Sequence, residues 1–448
     1  MSLEGIERAL ACARAAGAHS GDAVLVEDAS TEVRVRGAET EHVKQARERC
    51  LGLRLFVEAP GGLRQAITST SDLSPAAIDR MARETVALAR ATAGDEHAGL
   101  PDGPFAAEWP DLDLADPGDA VPVETLVGDA LAAEQAAARF DDRIVNSEGS
   151  SADTGRTRVA YANTAGFSGH YERTVHSISA QPIAEQDGAM QTDYWFSVSR
   201  HRHKLDDPAA VGRRAAERAV AQLGSQRLST RECAVIFDPI TARALLSNLA
   251  ACVSGYAVYR GSSFLGERLG ERIASPSLTV TDDGRRPGGL GSKPFDGEGL
   301  PTRRTRVIEG GVLRSFLLDH YSGRKLGLAS TGNASRSAGS APGVAPTNLW
   351  VEPGSHSPDE LVQTMGSGLL VTRLFGHGFN PVTGDFSRGA AGVWIENGEP
   401  TTPVEEITVA GNLGDLLADI DAVGNDLVWM GSIAAPSLRV SRLTVAGA

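Results

Sequence analysis

The chain has 448 residues, of which 41% are hydrophobic and 22% charged; 43 Lys+Arg stand against 57 Asp+Glu, a net charge of −14. At roughly 150 residues per domain the length predicts two or three globular domains, and the composition excludes a disordered, collagenous or small disulfide-stapled protein. The acidic balance argues against direct nucleic-acid binding, and no run approaches the ~18 apolar residues of a membrane span.

In chain order, Ile6, Leu10 and Ala13 recur at helical spacing, residues 23–27 and 31–36 read as strands, and 50–57 alternates apolar with basic or small residues. Pro60-Gly61-Gly62 signals a hairpin before a strand at 63–67. Ser74-Pro75, a capping hydroxyl followed by proline in the first turn, opens an amphipathic helix reaching about 93. Residues 1–96 therefore form an α+β domain, and the Pro-, Asp- and Gly-rich stretch 97–122 reads as a linker. A second α+β segment, 123–224, follows: an Ala-rich helix at 123–140, a strand at 158–161, a turn at 163–166, strands at 167–180 and 194–199, and a helix at 207–223. The third domain, 232–448, begins with the buried-type strand 234–237 and the helix 239–253. Beyond that helix Gly, Pro and Thr punctuate short β-rich stretches. The fold class is α+β: an N-terminal α/β sandwich-like part, then a mainly β C-terminal domain with one early helix. No internal repeat is visible.

The opening Met1-Ser2-Leu3-Glu4-Gly5 lacks the basic-then-apolar order of a signal peptide, which predicts a cytoplasmic protein. Cys12, Cys50, Cys233 and Cys252 lie far apart with no CxxC pair, as expected of reduced thiols. Generic catalytic signatures are missing: there is no HExxH, no G-x-S-x-G and no Walker A. Gly288-Gly289-Leu290-Gly291-Ser292-Lys293 has Ser-Lys in the wrong order for a phosphate loop, and no helix pattern follows it. His201-Arg202-His203 puts two imidazoles on one strand face, yet Arg202 and Lys204 beside them mark a solvated strand end. His170 and His176 share a strand face and read as exposed or hydrogen-bonded. Cys252, in an apolar stretch, reads as a buried structural cysteine.

What remains is a set of local phrases in the last half. They are Val235-Ile236-Phe237-Asp238-Pro239, Tyr259-Arg260-Gly261-Ser262-Ser263-Phe264-Leu265, Gly291-Ser292-Lys293-Pro294-Phe295-Asp296-Gly297-Glu298-Gly299, Ser330-Thr331-Gly332-Asn333 and Gly384-Asp385-Phe386-Ser387-Arg388-Gly389-Ala390-Ala391-Gly392. With Glu396-Asn397-Gly398 and Ala410-Gly411-Asn412-Leu413, in this order and along nearly the whole chain, the sequence closely resembles the TldD/PmbA family, the so-called modulators of DNA gyrase.

The resemblance implies a heterodimeric cytosolic protease acting on unfolded or extended peptides, built from two paralogous kinds of subunit. The TldD kind holds zinc with HExxxH on the helix after the first strand of the C-terminal domain and with a distal cysteine. Here that stretch falls on Ser247-Asn248-Leu249-Ala250-Ala251-Cys252, and the cysteine falls on or next to Met430. Catalytic zinc normally takes three imidazole, carboxylate or thiolate donors, and hydroxyl, amide and thioether groups replace them poorly. The resemblance therefore points to the PmbA/TldE kind: no catalytic residues and no cofactor in this chain, zinc in a TldD-like partner, and a peptide substrate. Extended peptides are readily held by strand addition at a sheet edge, and the glycine-rich phrases suggest Gly291, Phe295, Asp296, Asp385, Ser387 and Arg388 as peptide-binding candidates. A homodimer through the same surface stays open, as do a regulatory protein that binds gyrase or another topoisomerase and a hydrolase that tailors peptide natural products.

Overall fold

A computed structural model describes residues 3–118 and 120–447. The two N-terminal segments share one seven-stranded antiparallel sheet, because Ser20–Arg36 pairs with Glu39–Ala59 on one side and with Ile144–Asn163 on the other. Each segment supplies the same order of elements. The first runs helix Glu4–Ala15, strands Ser20–Arg36, Glu39–Ala59 and Gly62–Thr70, and helix Pro75–Arg90. The second runs helix Val123–Ala138, strands Ile144–Asn163 and Ser168–Gln186, a third strand split into Ala189–Thr192 and Trp195–Ser199, and helix Pro208–Val220. This repetition of elements left no periodic signal in the sequence, since a strand fixes only which face each residue takes.

Alternation assigns the two faces of the sheet. Ala23, Leu25, Val33, Val35, Leu51, Leu53 and Leu55 point to the side covered by the four helices and are fully or nearly fully buried there. Asp22, Val24, Cys50 and Arg54 take the opposite side, which the C-terminal domain covers. Ser74 caps its helix as expected, accepting from the Ala77 N–H. The segment read as a linker is largely extended and packed against the body of the protein: Thr174 N–H donates to Leu114 O at 3.0 Å and Asp116 N–H to Thr174 Oγ1 at 2.7 Å.

The C-terminal domain is built on a closed barrel. Strands Glu399–Asn412, Asp385–Glu396, Gly368–Phe375, Arg231–Phe237 and Leu438–Ala446 pair in that order, and Glu399–Asn412 pairs again with Leu438–Ala446. A second, five-stranded sheet packs with it around one large apolar core. Its long helix, Pro239–Cys252, comes early, as read: Asp238 accepts from the Thr241 N–H at 2.9 Å and Pro239 fills the first turn. Four helices of eight residues or fewer also occur among the described residues, at Gly255–Tyr259, His320–Leu326, Pro358–Met365 and Leu413–Ala418. The Pro358–Met365 helix has a capping box of Ser357 and Glu360, which is local chemistry too short to register as periodicity. Among the described residues no helix is long and apolar enough to cross a membrane.

Candidate functional site

The seam between the N-terminal sheet and the C-terminal domain gathers several buried ionisable groups. Arg54, 3% exposed, donates from Nε to Asp22 Oδ2 at 3.0 Å and from Nη1 to Glu298 Oε1 at 3.1 Å. Arg336 Nη1 donates to Asp22 Oδ1 at 2.5 Å, and Tyr161 Oη to Asp22 Oδ2 at 3.2 Å. Burial works to raise the Asp22 carboxyl, but the two guanidiniums hold it below its ordinary range. Burial pushes Glu298 up to about 7, with Arg54 opposing and Asp296 and Asp319 adding to the rise. It pushes Asp296 up to about 6 and Lys293 down, the two working against each other's shift.

A cavity of about 500 Å³ opens on this seam. Val24, Cys50 and Tyr161 from the sheet face Lys293, Phe295 and Arg336 across it. Arg336, paired with Asp22 through one nitrogen, leaves Nε and Nη2 buried without a hydrogen-bond partner. The 334–344 hairpin forms the lip. It lies so close to the sheet that a Cβ at Gly52 would sit 1.7 Å from Ala338 O.

The sequence-derived candidates divide among different places. Phe295 and Asp296 line the cavity. Phe295 is the hub of an aromatic cluster, with ring centroids 5.3 Å from Phe167 and 5.4 Å from Tyr171. Asp296 accepts from the N–H groups of Glu298, Leu300 and Ala334 at 2.9, 3.0 and 3.1 Å, so its carboxylate shapes the turn that carries Glu298. Gly291 lies in the preceding loop, where its N–H donates to Asn348 Oδ1 and a Cβ would come within 2.0 Å of Thr347 O. Asp385, Ser387 and Arg388 are elsewhere, at the start of a barrel strand, where it pairs with residues 409–412 on one side and its pairing with Gly368–Phe375 has not yet begun; that pairing starts at Gly389. On the other side the 378–380 loop lies against them: Phe379 forms an isolated bridge with Phe386, and Asn380 N–H donates to Asp385 O at 2.8 Å. Asp385 is exposed and accepts from Asn412 Nδ2 at 3.0 Å, Ser387 N–H donates to Gly378 O, and burial lowers the pKa of Arg388. Sequence reading missed Asp22, Arg54, Glu298 and Arg336; single charges set in the apolar alternations 21–25 and 51–56 were the available signal.

The helix Pro239–Cys252 carries the positions where the resemblance puts a zinc motif. Arg243 Nη1 reaches Met430 O at 3.1 Å, which brings the 430 loop beside the helix turn that holds Ser247. The residues there do not fit a catalytic zinc. Ser247 is exposed and donates its hydroxyl to Arg243 O, Asn248 offers an amide with a buried, unpartnered Nδ2, and Met430 is a buried thioether. Cys252 is fully buried, as the sequence predicts, and burial raises its thiol to about 12, far from the thiolate that binds metal. The Arg243 guanidinium adds a fixed positive charge beside these groups.

The His201-Arg202-His203 reading needs correction. Strand Trp195–Ser199 stops short of it, and His201 is instead the buried N-cap of a single 3-10 turn, Arg202–Lys204, in which His203 and Lys204 are exposed. The turn forms because the supposed linker supplies its partners: Asp116 Oδ2 accepts from the Arg202 N–H and Asp113 pairs with Lys204 at 2.9 Å. His176 is buried and hydrogen-bonded to Thr154 Oγ1, within the expected reading.

Comparison with known proteins covers nearly the whole chain. Residues 21–89, 116–223 and 230–447 match domain 1, the central domain and the C-terminal domain of the PmbA/TldA metallopeptidases. The chain is 38% identical to metalloprotease PmbA of Escherichia coli O157:H7, over 97% of this chain and 94% of that one. It is 36% identical to the metalloprotease PmbA homolog of Haemophilus influenzae, over 99% and 96%. Among solved structures, a protein of Bacteroides thetaiotaomicron named as a modulator of DNA gyrase superposes with a TM-score of 0.91 at 29% identity, covering 99% and 98% of the two chains. TldE from Thermococcus kodakarensis shares the fold, with a TM-score of 0.88 at 20% identity and coverage of 98% and 99%.

Proposed function

Since this chain belongs to the PmbA/TldD metallopeptidase family, we propose that it is the subunit of that family which carries no catalytic zinc, and that it pairs with a TldD-like zinc subunit to cleave unfolded or extended peptides. Its part is assembly and peptide binding in the cytoplasm. The observation that carries this reading is the donor set on the Pro239–Cys252 helix: a hydroxyl, an amide and a fully buried thiol, with a thioether opposite and a guanidinium between. Such a set neither binds a divalent ion at the strength catalysis needs nor supplies the carboxylate that takes a proton from bound water.

The seam cavity supports peptide binding. Its apolar wall at Phe295, Tyr161 and Val24 suits the side chains of an extended peptide. Co-expression with a TldD-like subunit, copurification and a peptidase assay on an unfolded peptide test the reading. The expected result is a stable complex whose activity falls when this chain is omitted. Activity undiminished without it would overturn the proposal, and capture of gyrase with no TldD-like subunit would favour a regulatory role.

A further inference from the structure

A second cluster lies in the N-terminal half, independent of the reading above. The extended segment before Val123 runs back over the second half of the sheet and places Asp113 and Asp116 against the Arg202–Lys204 turn. There, one ligand atom each from Asp116, His201 and His203 lies within 4.8 Å of the other two.

The imidazoles around Asp116 are prepared in an unusual way. His201, whose side chain is 5% exposed, has Nε2 at 2.7 Å from Asp113 Oδ1. That carboxylate holds the proton on Nε2 and leaves the Nδ1 lone pair free, and Nδ1 is buried with no hydrogen-bond partner. A carboxylate on the far nitrogen is the arrangement by which metal-binding histidines are oriented and made more basic. His176, 7% exposed, meets Thr154 Oγ1 through Nδ1 at 3.0 Å, while its Nε2 lies 3.6 Å from Asp116 Oδ2, also buried and without a partner. A buried nitrogen without a hydrogen-bond partner is costly, so two beside one turn call for a missing partner. The nearby cations are matched: Arg202 by Asp129 at 2.6 Å, Lys204 by Asp113 at 2.9 Å, and Arg156 by Glu172.

We infer that Asp116, His201 and His203 bind a divalent transition-metal ion, with the His176 ring placed to add a fourth donor. Imidazole with a single carboxylate selects a borderline ion such as zinc or cobalt over magnesium or calcium, which prefer all-oxygen shells. The ion would staple the connecting segment to the 201–203 turn; no substrate chemistry is assigned to it.

The test is titration of the full chain, stripped with chelator, by Co²⁺ and Zn²⁺, following the visible absorption of cobalt and the heat of zinc binding. Saturation at one ion per chain is expected, with the intense spectrum of low-coordinate cobalt. His203→Ala, at an exposed position, and Asp116→Asn should each weaken binding about tenfold or more. Ser247→Ala on the 239–252 helix should leave binding unchanged. Absence of saturable binding, or binding indifferent to His203→Ala and Asp116→Asn, overturns the site. Binding lost in Ser247→Ala and kept in His203→Ala overturns it as well, and separately sinks the zinc-free reading of that helix.

Discussion

Two places in this molecule treat ionisable groups in opposite ways. At the seam, Asp22, Arg54 and Arg336 are almost wholly excluded from water and survive as charges because each is matched by another, with the Glu298 carboxyl, raised by burial, against Arg54. On the Pro239–Cys252 helix, where the family resemblance places metal ligands, the groups are neutral at ordinary pH apart from Arg243, which is spent on the Met430 carbonyl. The difference teaches where this chain depends on charge. Buried ions are tolerated only in a matched set, so the seam should break sharply when one member is removed, whereas the helix should tolerate change.

The largest effect is expected from Asp22→Ala, which strands the Arg336 guanidinium in a dry interface and leaves Arg54 with Glu298 alone. Removing one partner of a buried ionic set typically costs about 3–5 kcal/mol, and urea denaturation of the variant should show a loss of that size. A loss comparable with an ordinary surface substitution would mean that water enters the seam, and the contrast with the helix would vanish.

Next comes Gly52→Ala. The added Cβ would meet Ala338 O at 1.7 Å, backbone against backbone, so the hairpin must move off the sheet. Forced insertion of this kind costs about 1–3 kcal/mol, and the cavity lip at 337–339 would shift with it. A thermal melt measures the first consequence, and loss of affinity for a captured peptide measures the second.

Glu298→Gln sharpens the comparison through pH. The native carboxyl, raised to about 7 from an ordinary 4.5, binds its proton more tightly than the unfolded chain does. Its contribution to stability is therefore fully present below about pH 4.5 and is lost as pH rises through 7. Asp296 acts in the same direction between an ordinary 3.8 and about 6. Asp22, held low, acts oppositely: its contribution is present above the ordinary carboxylate range and is lost as pH falls below it. With glutamine at 298, the decline in stability from pH 5 to pH 8 should shrink by about 2–3 kcal/mol. An unchanged pH slope would place the titration elsewhere.

Much of the architecture was legible because its signals are local. The Ser74-Pro75 and Asp238-Pro239 caps mark helix starts without any tertiary information. The seam was not legible for the converse reason. Arg54 in the alternation 51–56 looks like one position on a solvated strand face, and only the docking of a domain more than 200 residues later turns that face into an interface. The same holds for His201, whose place in a turn is set by Asp113 and Asp116 from a stretch with no periodicity of its own. The glycine phrases were legible as turns and close approaches, but one of them runs into a strand that the closed barrel pairs on both sides from Gly389 onward.

The smallest effect belongs to the helix, and it is the one that tests its neutrality directly. Cys252 has no exposed surface and packs in the large apolar core, its thiol is pushed up to about 12, and the Ser263 hydroxyl donates to its backbone carbonyl at 2.7 Å. A nucleophilic or metal-binding thiol needs the thiolate. The folded protein should therefore leave Cys252 unmodified by iodoacetamide near neutral pH, while denaturant exposes it, as peptide mass mapping would read. Ser247→Ala should change stability by no more than about 0.5 kcal/mol, as for a surface site, since it gives up only a hydroxyl bond to the Arg243 carbonyl. Rapid native labelling of Cys252 would show that the helix face opens, and an open face with a reactive thiolate is chemistry that a zinc-free subunit should not possess.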